Sequence, residues 1–246
     1  MFAFIRGWTD VDRTTRANLR LGAFLAFVAG ATNAGGFLAV GHYTSHMTGL
    51  VSAIADHLVL GQLTLATAAA GAILAFTGGA MTTAILVNWG LRHQLHSAYG
   101  LPLLLESAAL LVFGIFGASI ALFAPLFIPL TVVLLCFIMG LQNAVITKIS
   151  RAEIRTTHVT GLVTDIGIEL GKLLYINPAG DPLPVRANRE RLRIHAVLVG
   201  CFFAGALAGA LGFKHVGFVS TVPLAVGLWL LALRPLWRDV RHRFAP

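Results

Sequence analysis

The sequence predicts an all-α membrane protein with six transmembrane helices and two short partial, re-entrant helices. It predicts them as an inverted internal repeat of three crossings plus three. Three observations lead there. Hydrophobic residues make up 57% of the chain and charged ones 11%, with mean hydropathy +0.82, whereas a soluble domain carries about a quarter charged residues. Apolar runs of about 20 residues, long enough to cross a hydrocarbon core, recur along the chain. One stretch occurs twice: Thr44-Ser45-His46-Met47-Thr48-Gly49-Leu50-Val51 returns as Thr156-Thr157-His158-Val159-Thr160-Gly161-Leu162-Val163, identical at six of eight positions. Both copies follow a Gly-x-x-Asn-Ala, Gly30 to Ala34 and Gly140 to Ala144, which marks a duplicated unit.

Residues 1–18 form an N-terminal segment that mixes Arg6, Arg13 and Arg16 with Asp10 and Asp12. That mixture lacks the basic region and short apolar core of a cleaved signal. Phe2, Phe4, Ile5 and Trp8 are expected in the interface ahead of the first span. The first repeat covers 19–123. Its opening segment, Leu19 to Val40, ends in three glycines and Asn33, which predict local unwinding near its exit. The next segment, His46 to Leu60, offers about 14 residues or about 21 Å of helix, short of a core of about 30 Å. Leu63 to Trp89, rich in Ala and Gly, and Leu101 to Phe123, with Glu106 one turn inside its start, complete the half.

Ala124-Pro125 is expected to form a tight, uncharged connection into the second repeat, 124–234. That half holds a segment ending near Thr147, then His158 to Ile176, Ile194 to Phe213 and Val216 to Leu233. The linker 177–184 is rich in turn residues. Residues 235–246 form a basic tail.

The charges orient these segments. The net charge of +8 and pI near 10.5 would suit nucleic acid, but nearly all Lys and Arg lie between apolar segments, where they set topology. Nucleic acid is therefore excluded as a partner, leaving the lipid bilayer. If all eight segments crossed, Arg92 and the loop from Lys148 to Arg155 would lie outside. If the two short segments dip in and return, both termini and every Arg-rich loop lie in the cytoplasm, as the positive-inside rule requires. Each half then has an odd number of crossings, so the two copies sit in opposite orientations, the plan of many transporters. Cys136 and Cys201 lie in apolar segments without partners at ligand spacing, so neither a disulfide framework nor a metal or cofactor site is implied.

The candidate site residues follow from the repeat. Thr44, Ser45 and Thr48 precede one apolar run and Thr156, Thr157 and Thr160 another, where hydroxyls cap helix starts. Gly49 and Gly161 allow close approach of a helix or a ligand. Two helix N-termini aimed inward from opposite faces would bind an anion or polar group; two capped starts with packing glycines would not. His46 and His158 are equivalent positions that suit either a proton relay or neutral hydrogen bonding. Asn33 and Asn143 form another pair, suited to hold a ligand or to satisfy freed backbone groups. Asp56 lies in the first short segment; Asp165 and Glu169 share a helical face in the second. Intramembrane ionisable groups mark ion or proton pathways, unless they sit near the interface where charge is tolerated.

Gly30-x-x-Asn33-Ala34, Met47-Thr48-Gly49, Gly140-Leu141-Gln142-Asn143-Ala144 and Thr156 to Gly161 resemble the YoaK-like family, bacterial membrane proteins built on a domain of unknown function. The resemblance spans about residues 20 to 234. It implies a multi-pass protein of the bacterial cytoplasmic (inner) membrane and supplies no established substrate. The chain departs from the family pattern at Asn33, where the family has Asp, and at Leu50, where it has Asn.

No Walker loop, Gly-x-Ser-x-Gly, metalloprotease His pair or dinucleotide fingerprint is present, so the expectation is not an enzyme. The leading expectation is a secondary transporter for a small polar or anionic solute, with its pathway at the interface of the repeats. The alternatives are a channel-like pore, which would ignore a proton gradient, and a scaffold or sensor binding lipid or a partner protein. Association into homo-oligomers is left open.

Overall fold

The computed structural model describes residues 8–9, 14–41, 43–117, 124–150, 154–179 and 182–244. Among them the chain forms α1 (Thr15–Val40), α2 (Met47–Val59), α3 (Leu63–Arg92), α4 (Gly100–Gly117), α5 (Ala124–Ile149), α6 (Val159–Leu174), α7 (Arg189–Val216) and α8 (Val222–Phe244). A 3-10 turn, Gly217–Thr221, joins α7 to α8. No strand occurs among the described residues.

Length and apolarity set the architecture. Five stretches are long and apolar enough to cross a membrane: Arg16–Ala39, Leu63–Arg92, Gly100–Gly117, Leu130–Ile149 and Arg189–Arg241. The last contains both α7 and α8, separated where Gly217 takes φ +74°, a conformation that glycine adopts without strain. The 13 residues of α2 and 16 of α6 reach only about 20 and 24 Å, less than a hydrocarbon core of about 30 Å.

The core holds large side chains such as Leu21, Leu25, Leu103, Leu110, Leu135 and Ile138, but α3 and the C-terminal half of α7 bury mostly small residues and expose large ones. In α3 the buried face is Ala66, Ala69, Ala72, Gly79, Thr83, Val87 and Gly90, while Leu74, Met81, Ile85 and Trp89 are exposed. In α7, Gly205 and Gly209 are buried and Phe203, Leu207 and Leu211 are exposed. Small residues at a helix crossing let the backbones approach closely, and helices that associate in lipid gain van der Waals contact that way.

Glycines bring the backbones together, four of them in two reciprocal pairs and Gly209 against the Ala31 carbonyl. A β-carbon on Gly30 would collide with the Phe202 carbonyl oxygen, and one on Gly205 with that of Phe27. The same reciprocal contact joins α5 and α3: Gly140 abuts the Phe76 carbonyl, and Gly79 that of Phe137. Each partner is thus a Phe-x-x-Gly, at Phe27, Phe76, Phe137 and Phe202. The contact joins α1 to α7 and α5 to α3; α1 and α5 also pack on each other, α4 packs on α8, and α2 and α6 rest on α3 and α7.

Several expectations are corrected here. α1 runs unbroken through Gly30, Asn33, Gly35 and Gly36, and α5 runs unbroken through Asn143. The glycines there serve packing, against α7 at Gly30 and against the Phe213 ring at Gly35, rather than unwinding. Ala124 and Pro125 form the first turn of α5 instead of a connection, a place where a missing proline N–H does no harm. Trp8 is buried in the main core cluster, with neighbouring Thr9 donating to the Leu231 carbonyl at 3.2 Å, so it does not lie in an exposed interface. α4 is described to Gly117, and the expected boundary at 123 lies outside the described residues, as do Phe2, Phe4 and Ile5.

Candidate functional site

Both short helices begin partway down the helix before them. The backbone N–H of Ser45 donates to Asn33 Oδ1 at 3.1 Å, although Asn33 lies seven residues before the end of α1. The chain therefore leaves α1 at Gly41, turns back by about 10 Å, and starts α2 beside Asn33. Gly41 makes the reversal, at φ +74°. The second copy repeats the manoeuvre. Thr157 donates its hydroxyl to Asn143 Oδ1, and Asn143 lies six residues before the end of α5. Asn143 is itself held by its Nδ2, which donates to the Met139 carbonyl at 2.7 Å.

The N-terminal turns are not capped as expected. The N-cap residues are His46 and His158, and neither makes a side-chain capping bond. The hydroxyls of Thr48 and Thr160 stand inside the first turn, where a side chain cannot serve as its own cap. One turn further on, Leu50 N–H reaches the His46 carbonyl and Leu162 N–H the His158 carbonyl, both at 3.1 Å. The first-turn N–H groups before these have no intrahelical acceptor, as at every helix start, and carry the positive end of the dipole.

Both starts face one cavity of about 1400 Å³. Its lining takes in Asn33, Ser45, His46 and Thr48 from the first copy and Thr157, His158, Thr160, Gly161 and Asp165 from the second. Gly161 has open space where a β-carbon would project, whereas Gly49 is filled by the ring of His46 and lies off the cavity. Asn143 is set behind the lining, reaching it through Thr157. Asp56 is exposed on α2 and does not line the cavity.

Glu169 also stands apart from the cavity. Its Oε1 accepts from Lys172 Nζ at 2.8 Å and its Oε2 from the Asn188 N–H at 2.6 Å. The Lys172 hydrogen bond foremost, then the Asn188 N–H, hold this carboxyl below its ordinary value. Glu169 therefore ties α6 to the start of α7, where Asn188 Oδ1 caps the helix by accepting from Arg191 N–H at 2.9 Å.

The structure adds residues that the sequence reading left out. Arg191 Nη2 donates to Asp165 Oδ2 at 3.2 Å, and His195 Nδ1 lies 3.7 Å from the same oxygen. His195 is 5% exposed, and its Nδ1 has no hydrogen-bond partner among the described residues. Arg155, Glu190 and Tyr43 also line the cavity. A signal for His195 was present: it stands just inside an apolar segment, the setting that flags intramembrane polar groups. Among the described residues no group of three His, Cys, Asp or Glu side chains is placed to hold a metal ion.

A further pair of equivalent residues lies beneath the site. Thr44 and Thr156, at 1% and 0% exposure, have hydroxyls without a hydrogen-bond partner among the described residues. Elsewhere Glu106 in α4 is buried, and neither carboxyl oxygen has a hydrogen-bond partner among the described residues.

A family model described as a protein of unknown function (DUF1275) matches residues 21–234, the span over which the sequence motifs resemble the YoaK-like proteins. No curated protein and no solved structure matches the chain.

Proposed function

The chain belongs to the DUF1275 family, whose function is unknown, and from that premise we propose that it is a secondary carrier for a small polar or anionic solute. The observation that carries this reading is the shared cavity: two half-length helices, from the two copies of one motif, start partway along neighbouring helices and face the same space. Half-length helices that point their N-termini into a shared cavity are a recurrent binding arrangement of membrane carriers. A scaffold would be served by a dry, packed junction; a cavity lined by Asn33, Thr48, Thr160 and Asp165 supports a carrier over it.

The reading takes the molecule as two inverted halves, with α1, α3, α4, α5, α7 and α8 crossing and α2 and α6 penetrating partway. The helix pairings support it. Exchanging α1 with α5 and α3 with α7 turns one Phe-x-x-Gly contact into the other, and exchanging α2 with α6 preserves their packing on α3 and α7. In this arrangement both termini and the basic loops face the cytoplasm of the cell whose inner membrane holds the protein.

The test has two stages. Thermal unfolding of the purified protein against a panel of small polar metabolites and anions identifies a stabilising solute. Counterflow of that solute in proteoliposomes then reads transport. Thr160→Val and Gly161→Leu are expected to lower counterflow at least tenfold; flux unchanged in both sinks the site, and absence of flux sinks the carrier.

A further inference from the structure

The charged groups of the cavity are gathered on the α6–α7 side. One oxygen of Asp165 accepts from Arg191 and faces His195, at 3.2 and 3.7 Å. Beside them the uncapped first turn of α6 opens on the same space through Thr160 and Gly161. A helix start alone is weak ground for a site. Here a second feature points to a ligand: His195 lines the cavity at 5% exposure, and among the described residues its Nδ1 makes no hydrogen bond, with Asp165 Oδ2 3.7 Å away.

We propose that this corner binds a small oxyanion together with one proton. With Asp165 ionised, its carboxylate already neutralises Arg191 and would repel a second anion. A proton from solvent, taken up by the Asp165–His195 pair, removes that repulsion. Arg191 then turns its guanidinium from Asp165 to the anion, which it can hold by two parallel N–H bonds, with the α6 N–H groups completing the shell. The other titratable groups facing the cavity are Glu190 on α7, Arg155 and His158 ahead of α6, and Tyr43 and His46 ahead of α2. Glu169, one turn along α6 from Asp165, takes its hydrogen bonds from Lys172 and the Asn188 N–H, and Arg191 acts on it only through its charge. The inference rests on the carrier reading of this cavity, and names its solute class and its coupling ion.

The test is calorimetric titration of the full-length protein in nanodiscs with sulfate and with formate, whose own charges do not change between pH 6 and 8. Repeating each titration in buffers of different ionisation enthalpy counts the protons exchanged. Uptake of about one proton per anion is expected, with affinity falling up to about tenfold per pH unit on the alkaline side. Asp165→Asn should bind at least as tightly at pH 8 as the wild type does at pH 6, without proton uptake. Arg191→Gln should lose binding at least tenfold while keeping its unfolding temperature, since Arg191 is half-exposed. Binding of neither anion at either pH, binding without proton uptake in the wild type, or loss of binding in Asp165→Asn overturns the proposal. Proton-linked binding without flux would leave this site standing and remove the carrier; flux of a neutral solute without anion binding would do the reverse.

Discussion

The hydroxyl of Thr157 donates to Oδ1 of Asn143, and that contact fixes the depth at which α6 begins. Asn143 is buried within a continuous helix, six residues before its end, so its side chain acts as a rigid post. The equivalent post, Asn33, catches the backbone N–H of Ser45 rather than a hydroxyl. The same fold is thus reached with one contact that depends on the motif's side chain and one that does not.

This difference makes a paired prediction. Thr157→Val preserves shape but leaves a buried amide oxygen without its donor, which costs about 1–3 kcal/mol. Ser45→Ala leaves its bond to Asn33 intact and should stay within about 0.5 kcal/mol of wild type. Equilibrium unfolding of the two variants in the same detergent separates them; equal losses would show that the posts do not work as described.

Adjacent glycines in α3 give a sharper contrast. Gly79 abuts the Phe137 carbonyl, whereas nothing lies within 4 Å of where a β-carbon on Gly78 would be. Gly79→Ala must push α3 away from α5, with a loss of about 1–3 kcal/mol or more. Gly78→Ala should be neutral, or gain up to about 1 kcal/mol from helix propensity. Gly30, Gly140 and Gly205 should behave as Gly79 does. The measurement is again the unfolding midpoint, and a Gly79→Ala variant as stable as Gly78→Ala would refute the close crossing.

What the sequence revealed and what it hid follow from the range of the forces involved. Apolar length is a local property, so most helix limits were readable within a few residues, for example α2 at Met47–Val59 against an expected His46 to Leu60. The duplicated motif was readable because it is contiguous, and both of its copies face one cavity. The role of the glycines in α1 was misread. A glycine that breaks a helix and one that admits a neighbour look alike until the neighbour, here Phe202 of α7, is placed. The Arg191–Asp165–His195 cluster was missed for the same reason, since it joins α6 to α7 across the linker that contains residues 177–184. Glu169 and Asp165 were correctly put on one helical face, yet the structure gives them different partners, Lys172 and Asn188 for one and Arg191 for the other.

The pH dependence of Glu169 has a definite sign. Lys172 and the Asn188 N–H lower its folded value below the ordinary 4.5, so the folded protein binds fewer protons there than the unfolded chain does. Its stabilising contribution is therefore complete above about pH 4.5 to 5 and is lost as pH falls through the lowered folded value. The difference in unfolding temperature between wild type and Glu169→Gln should be constant from pH 6 to 8 and shrink toward zero below about pH 4. A difference that grows on acidification would contradict the assigned partners.

Gly161 offers the most direct separation of function from folding. Its outward side is open space on the cavity wall, while its counterpart Gly49 is covered by the His46 ring. A side chain at 49 must displace that ring, so Gly49→Ala disturbs the first helix start itself. A β-carbon at 161 has no protein atom within 4 Å and stands on the cavity wall beside the α6 N–H groups. Gly161→Leu should therefore keep its unfolding temperature within a few degrees of wild type, because no contact is lost and a helix gains a better residue. It should also lose at least tenfold in affinity for whatever solute stabilises the wild type, because the leucine occupies the approach to those donors. Solute-dependent unfolding shifts measure both quantities in one experiment. If Gly161→Leu were stabilised by the solute as strongly as wild type, the α6 start would not be the binding surface, and the uncapped turn would be a packing feature alone.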